Sequence, residues 1–297
     1  MTDLTKYRGQ WGGRIENGEE MWWSEPNQAL KRPGVLAKLR FAADTRHHFI
    51  LRFWKACRAN FTDPVLKLVD YGCGSGGTTI NFSQAIGQPI TGMDIFPTQL
   101  EVARHFAATA ESTCRFELLE EGGRIPGGEA SVHGIFSLDV LGHVPDVAQV
   151  LNQWMRALKP GGSVLLFTEA NYSPDDRSIA ARLAARGADV IAGVPEHISL
   201  FSREKLEELF RAAGFELVER FSSNVWHFFF FPKDYVLLLK NRKEFSGWYA
   251  VARAWNRLSK LVPFYPAPFH WLRIAVTHLL GRSHKGTSYY YHLRKPV

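Results

Sequence analysis

Asp70, Gly72, Gly74 and Gly76 fall at every second position of Leu68-Val69-Asp70-Tyr71-Gly72-Cys73-Gly74-Ser75-Gly76-Gly77, directly behind an apolar run. Glycine here lets a ligand lie against the backbone, since no Cβ stands in its way. Pro89-Ile90-Thr91-Gly92-Met93-Asp94-Ile95 ends a second short apolar run on an acid, eighteen positions after Gly76. An acid at that distance is placed to take two ribose hydroxyls. Glycine-rich turns serve nucleotide-binding folds of many kinds, so the residues that follow decide the chemistry. His143 and His197 carry proton chemistry, because a neutral imidazole can take a hydroxyl proton near pH 7. Each also has a structural reading: His143 packs in a Leu-x-His-Val turn, and His197, in Pro195-Glu196-His197-Ile198-Ser199, caps a loop. Asp139 and Glu169, at or beyond strand ends, could face the same cleft.

Alternating strands and helices must position these groups. From Pro64 onward apolar strand-length runs alternate with helical patterns, which predicts a parallel sheet with crossover helices. Ahead of them lie a tryptophan-bearing segment (Trp11, Trp22, Trp23), a basic stretch (Lys31, Arg32, Lys38, Arg40) and a helix from Asp44, its N-cap, to Asn60. We divide the chain into an N-terminal helical cap (1–60), a core (61–221), an aromatic and basic helical insertion (222–286) and a final strand (287–297).

The order of motifs resembles class I S-adenosylmethionine-dependent methyltransferases. Asp-x-Gly-x-Gly-x-Gly is unlike the Gly-x-Gly-x-x-Gly of NAD enzymes. Phe116-Glu117-Leu118-Leu119-Glu120 is similar to the third strand, Ile135 to Asp146 to the fourth strand and its active-site loop, and Leu158-Lys159-Pro160-Gly161-Gly162 to the turn before the fifth. Phe201 to Leu206 and Ala213-Gly214-Phe215 match the last helix and the strand after it. The resemblance covers about residues 65–221. It implies a Rossmann-like α/β sheet, mostly parallel, of seven strands, with the last, about 287–293, antiparallel. It also implies S-adenosylmethionine as cofactor. Asp70 would orient the turn and reach the methionine amine, Asp94 would hold the ribose with Ile95 beside the adenine, and Glu120 (or its neighbour Glu121) would accept from the adenine amine. Ser75 and Leu138 complete the implied set. The alternative for Asp94 and Glu120 is a loop acid capping a helix. Asp139-Val140-Leu141-Gly142-His143 is similar to the loop of ubiquinone O-methyltransferases that carries a Glu-x-x-Glu-His metal set. Gly142 replaces the middle carboxylate, so no metal is expected. His133 stands where relatives often have an aspartate, which would alter a surface hydrogen bond.

Composition fits one α/β domain with additions: 297 residues, 45% of them hydrophobic. Met1 to Lys6 contains no apolar core for a signal peptide, and Cys57, Cys73 and Cys114 form neither a disulfide framework nor a zinc cluster. A reducing cytoplasmic setting is expected. The net charge of +7 is uneven: residues 222–297 hold twelve Lys/Arg against two Asp/Glu.

That C-terminal quarter contains Phe228-Phe229-Phe230-Phe231-Pro232 and Tyr235 to Leu239, then a helix predicted over 244–262. Phe245, Trp248, Tyr249, Ala252, Trp255, Leu258 and Val262 share one face, and Arg253, Arg257 and Lys260 a narrow arc opposite. A second apolar helix, about 268–280, is too short to cross a bilayer. Short, aromatic and basic helices lie in membrane interfaces. The insertion is therefore read as receiving a hydrophobic or lipid-linked acceptor, methylated in line at oxygen or nitrogen, at an anionic membrane surface, peripherally on its inner face. A packed helical lid is the structural alternative. RNA is disfavoured because the aromatics cluster as apolar runs rather than as a stacking platform. A soluble metabolite or saccharide remains a second acceptor class. A non-catalytic scaffold would have no need of Asp70, the glycines and Asp94.

Overall fold

A computed structural model describes residues 11–14, 20–27, 34–189, 197–263 and 266–297. Met1 to Lys6, Lys31 with Arg32, and Pro195 with Glu196 lie outside the described residues. Strands β1 (Trp11–Arg14) and β2 (Glu20–Trp22) form an antiparallel ribbon, followed by α1 (Val35–Phe41) and α2 (Thr45–Asn60). Then come β3 (Leu68–Tyr71), α3 (Gly77–Ile86), β4 (Thr91–Asp94), α4 (Pro97–Thr109), β5 (Arg115–Leu118), β6 (Val132–Leu138), α5 (Val147–Ala157) and β7 (Leu158–Glu169). They continue as α6 (Ile179–Ala184), α7 (Arg203–Ala212), β8 (Glu216–Ser222), α8 (His227–Phe230), α9 (Pro232–Leu239), α10 (Ser246–Leu258), α11 (Ala267–Leu280) and β9 (Ser288–Arg294).

The sheet order is β5-β4-β3-β6-β7-β9-β8, with every pairing parallel except those of β9. This is the seven-stranded, mostly parallel sheet expected from the sequence. β3 is buried at all four positions, as a central parallel strand covered on both faces must be. Alternate side chains serve opposite layers. Val69, Ile135, Val164, Leu166, Tyr289 and Tyr291 pack with Leu151 and Trp154 of α5 and Phe210 of α7. Leu68, Phe136, Leu165, Phe167 and Tyr290 pack with Phe49 and Phe53 of α2, Phe41 of α1 and Phe82 of α3. So α2, read with the N-terminal segment, is a covering helix of the sheet. Its N-cap is as expected: the Asp44 carboxylate accepts from the N–H of Arg46 (2.8 Å) and His47 (3.3 Å).

Two sequence expectations are corrected. His133 is buried at 2% exposure. Its Nδ1 accepts from the Lys67 N–H at 2.9 Å, and its Nε2 lies 2.9 Å from Lys159 Nζ and 3.3 Å from Asp63 Oδ2. The buried ring ties the sheet to the preceding loop, joining the Lys67 backbone to the part-exposed Asp63 and Lys159. The helix over 244–262 is a 3₁₀ turn at Lys243–Phe245, α10, and a second 3₁₀ turn at Ser259–Leu261. Phe245 and Ala252 are buried with Tyr235 and Leu239 against Ala180 and Leu183 of α6, whereas Leu258 is 56% exposed.

α11 turns an apolar face outward. Every exposed position on it is apolar: Pro268, Trp271, Leu272, Ala275, Leu279 and Leu280. Its inner side mixes apolar Ile274 and Val276 with Thr277, Arg273 and His278, the last with Nε2 at 2.9 Å from Nε2 of His48 on α2.

Candidate functional site

The glycine turn sits where the chain leaves β3 for α3, at the carboxyl edge of the sheet. Gly72, Gly74 and Gly76 have φ of 76°, 52° and 77°, in the left-handed region that L side chains avoid. A Cβ at Gly72 would overlap Val140 of the loop after β6, and one at Gly76 would meet the Phe116 ring at 2.6 Å. Gly72 and Cys73 both donate N–H bonds to the Met93 carbonyl, at 2.8 and 3.0 Å. The Asp94 carboxylate accepts from Gly74 N–H (2.9 Å) through Oδ2 and from Phe96 N–H (3.1 Å) through Oδ1. Asp70 is buried, its Oδ2 accepting from the Thr79 hydroxyl at 2.5 Å. Burial pushes the Asp70 carboxyl up to about 7; the Thr79 bond opposes this and the Asp94 charge adds to it. Among the described residues no cationic side chain pairs with Asp70.

Ser75 is spent differently from the sequence expectation. Its hydroxyl accepts from Ser24 N–H (2.6 Å) and donates to the Ser24 carbonyl (3.2 Å). Trp23 packs edge-on to Phe106, and Asn27 N–H binds Asn81 Oδ1 at 2.7 Å. Residues 23–27 therefore lie as a strap across the glycine turn and α3, and a Cβ at Gly77 would strike the Ser24 carbonyl. Ile95 is 56% exposed, while Leu138, the last residue of β6, packs on the α2 side of the core. Glu120 lies two residues past β5, held by Arg124 at 3.1 Å in an exposed turn.

The two histidines come together. Their ring centroids are 4.9 Å apart, because Ile198 and Ser199 both donate N–H bonds to the Gly142 carbonyl (2.8 and 3.0 Å). His197 Cδ2 would lie 3.0 Å from a Cβ at Gly142, so this residue must be small for the rings to meet. His197 Nε2 faces Glu169 Oε2 at 3.9 Å. Behind them Asp139, at φ 59°, binds Arg46 at 2.6 Å. A non-glycine residue in that conformation costs roughly 1–3 kcal/mol, and here it turns the carboxylate into the cluster. Burial, with the Asp139 charge and hydrogen bond, pushes Glu169 above the carboxylate range. Asp139 Oδ1 and Glu169 Oε2 are buried without a hydrogen-bond partner, His197 Nε2 standing too far from Glu169 for one, so a proton kept on Glu169 satisfies the two carboxyls. The Arg46 guanidinium rests 4.8 Å from the Phe167 ring, and the Tyr290 hydroxyl of β9 is buried beside it without a partner.

Asp70, the glycines, Asp94, Leu138, His143 and His197 thus share one sheet edge, with Val140 in contact with Gly72. Arg46, Thr79 and Tyr290 escaped the sequence reading. Arg46 looks like an ordinary helix-surface cation, Tyr290 like one of three core tyrosines, and only the topology brings them to the cleft.

A family model described as a methyltransferase domain matches residues 39–220. The ubiquinone biosynthesis O-methyltransferase of Hydrogenovibrio crunogenus is 25% identical over 73% of this chain and 85% of its own length. That of a Methylobacterium species is 31% identical over 61% of this chain and 69% of its own. Among solved structures, the cyclopropane synthase MmaA2 of Mycobacterium tuberculosis superposes with a TM-score of 0.51 at 18% identity, covering 83% of this chain and 84% of its own. Fold and glycine turn define a class I methyltransferase. The chain belongs to the methyltransferase domain family, and S-adenosylmethionine is its cofactor.

Proposed function

We propose that this enzyme methylates a hydroxyl oxygen of a hydrophobic or lipid-linked acceptor. The observation that carries the reading is the His143–His197 pair, backed by Glu169, Asp139 and Arg46, beside the glycine turn. The residues fit the cofactor: Asp70 is a buried acid with no cationic side chain on it, as a ligand bringing its own ammonium requires. Asp94 would hold the ribose and Ile95 would cover the adenine. Glu120 or Glu121 would take the adenine amine once the Glu120–Arg124 pair opens. Bound there, S-adenosylmethionine supplies a methyl group on a sulfonium, already a good leaving group. The chain supplies position and a proton acceptor. The hydroxyl docks on the imidazole pair, which takes its proton as the oxygen–carbon bond forms, and Arg46 holds Asp139 and Glu169 in place. No metal enters this reading, since Arg46 occupies Asp139 and the His197 ring fills the space at Gly142.

The acceptor's hydrophobic character rests on the insertion. The exposed apolar face of α11, with Val251, Leu258 and Leu261 beside Arg253, Arg257 and Lys260, suits the interface of an anionic membrane. No described helix is long and apolar enough to cross one. Incubating the enzyme with methyl-labelled cofactor and cell extract tests the acceptor class. Label is expected in the organic fraction; label confined to the aqueous or nucleic-acid fraction would overturn the reading. His143→Gln and His197→Gln should each lower kcat by roughly a hundredfold or more with cofactor affinity kept, and full activity is expected in excess EDTA.

A further inference from the structure

A cavity of about 950 Å³ opens among the loop 175–178, α6, α8, α10 and residues 283–285. Small-molecule sites span roughly 300–1,000 Å³, so it is large. Its walls are mainly apolar: Ile179, Phe228, Phe229, Val251, Trp226 and Trp255. Trp226 and Val251 are 55% and 52% exposed, which places the mouth between them, on the outer side of α10 that also carries Leu258. The rim holds three cations, Arg177, Arg182 and Lys285, against Asp175 and Asp176, and Lys285 already pairs with Asp175 at 2.8 Å.

Register ties this cavity to the reaction centre. Ser288 pairs with Glu169, and Ser222 with Tyr289. The three walls at 175–182, 226–229 and 283–285 therefore leave the sheet at the edge where Glu169 faces His197. Arg273 is near both, its charge acting on His227 of the cavity wall and on Arg46 beside the centre; its guanidinium lies 4.4 Å from the Phe231 ring and its Nε is buried without a partner.

We propose that the cavity seats the single apolar chain of an amphiphile, entering between Trp226 and Val251 and directing its polar end toward the histidine pair. This rests on the reading of a hydrophobic hydroxyl acceptor. The aromatic and aliphatic walls favour an alkyl chain over a sugar, which would lose its hydration there, and a mouth on an apolar helix face suits a ligand drawn from a lipid surface.

The test uses the full chain without cofactor and 9,10-dibromostearate as the probe, whose bromines quench nearby indoles. Saturable tryptophan quenching is expected. It should fall by more than half in the Trp226→Phe/Trp255→Phe double variant, which keeps the packing. Val251→Glu, at an exposed position, should weaken the probe at least tenfold while S-adenosylmethionine affinity, measured by calorimetry, stays unchanged and reports an intact fold. Absence of saturable quenching, or quenching indifferent to Val251→Glu, would overturn the proposal. Intact chain binding without methyl transfer to any hydroxyl-bearing amphiphile would support the cavity and sink the oxygen-methylation reading instead.

Discussion

Asp70 and Glu169 are acids that the fold holds reluctant to ionise, and each makes pH a probe of its site. A neutral Asp70 cannot attract a ligand ammonium. Binding of S-adenosylmethionine should tighten by roughly tenfold as pH rises through about 7, the value to which burial pushes this carboxyl. Calorimetry from pH 5.5 to 8.5 should show the slope, and Asp70→Asn should abolish it. Glu169 acts on stability. Its folded-state pKa is raised from 4.5 by burial and by Asp139, so the unfolded chain releases its proton first as pH climbs. Stability contributed at low pH is then lost through neutrality, until the folded group also ionises. Glu169→Gln should flatten that decline in thermal melts compared at pH 5 and pH 8. Gly142→Glu restores the carboxylate of the metal-binding pattern, yet its Cβ would press on His197. Activity is expected to drop about a hundredfold, and added Mg²⁺ should not restore it.

At the scale of elements, the strands and the glycine turn were legible because strands buried on both faces read as continuous apolar runs and left-handed turns as glycines. Leu68 to Tyr71 read as a strand because every side chain there is buried, and Asp44 read as a cap because its carboxylate closes the first turn of α2. The Arg46–Asp139 pair left no such trace, since it joins residues 93 positions apart through sheet topology alone. Ser75 was assigned by motif, whereas a strap from residue 24 claims its hydroxyl. The insertion was half legible. Its helices showed in their periodicity, but a helical wheel cannot say which side faces in, and α11 carries apolar residues on both its inner and its outer side. Two substitutions separate packing from exposure. Gly72→Ala demands φ 76° of an L residue and drives a Cβ into Val140; a loss of roughly 2 kcal/mol or more is expected in denaturant unfolding. Leu279→Glu lies at 79% exposure, so stability should stay within about 0.5 kcal/mol.

On the scale of the whole molecule, charge and apolar exposure meet in one region. Residues 222–297 hold ten more basic than acidic residues, and α10 and α11 present the bare leucines and Trp271. Full-length enzyme should co-sediment with phosphatidylglycerol vesicles and not with phosphatidylcholine alone. Leu279→Glu together with Leu272→Glu should leave it in the supernatant with cofactor affinity unchanged. Retention of the double variant on vesicles would count against the membrane reading. The strap at residues 23–27 bears on timing. It crosses the turn that must release spent cofactor, and the Ser24 backbone holds the Ser75 hydroxyl from both its N–H and its carbonyl. We expect this segment to lift and settle again in each catalytic cycle, so that exchange of cofactor, rather than bond-making, sets the pace. Ser75→Ala would then speed the steady state while leaving the first turnover unchanged, a kinetic signature visible as the loss of a pre-steady-state burst.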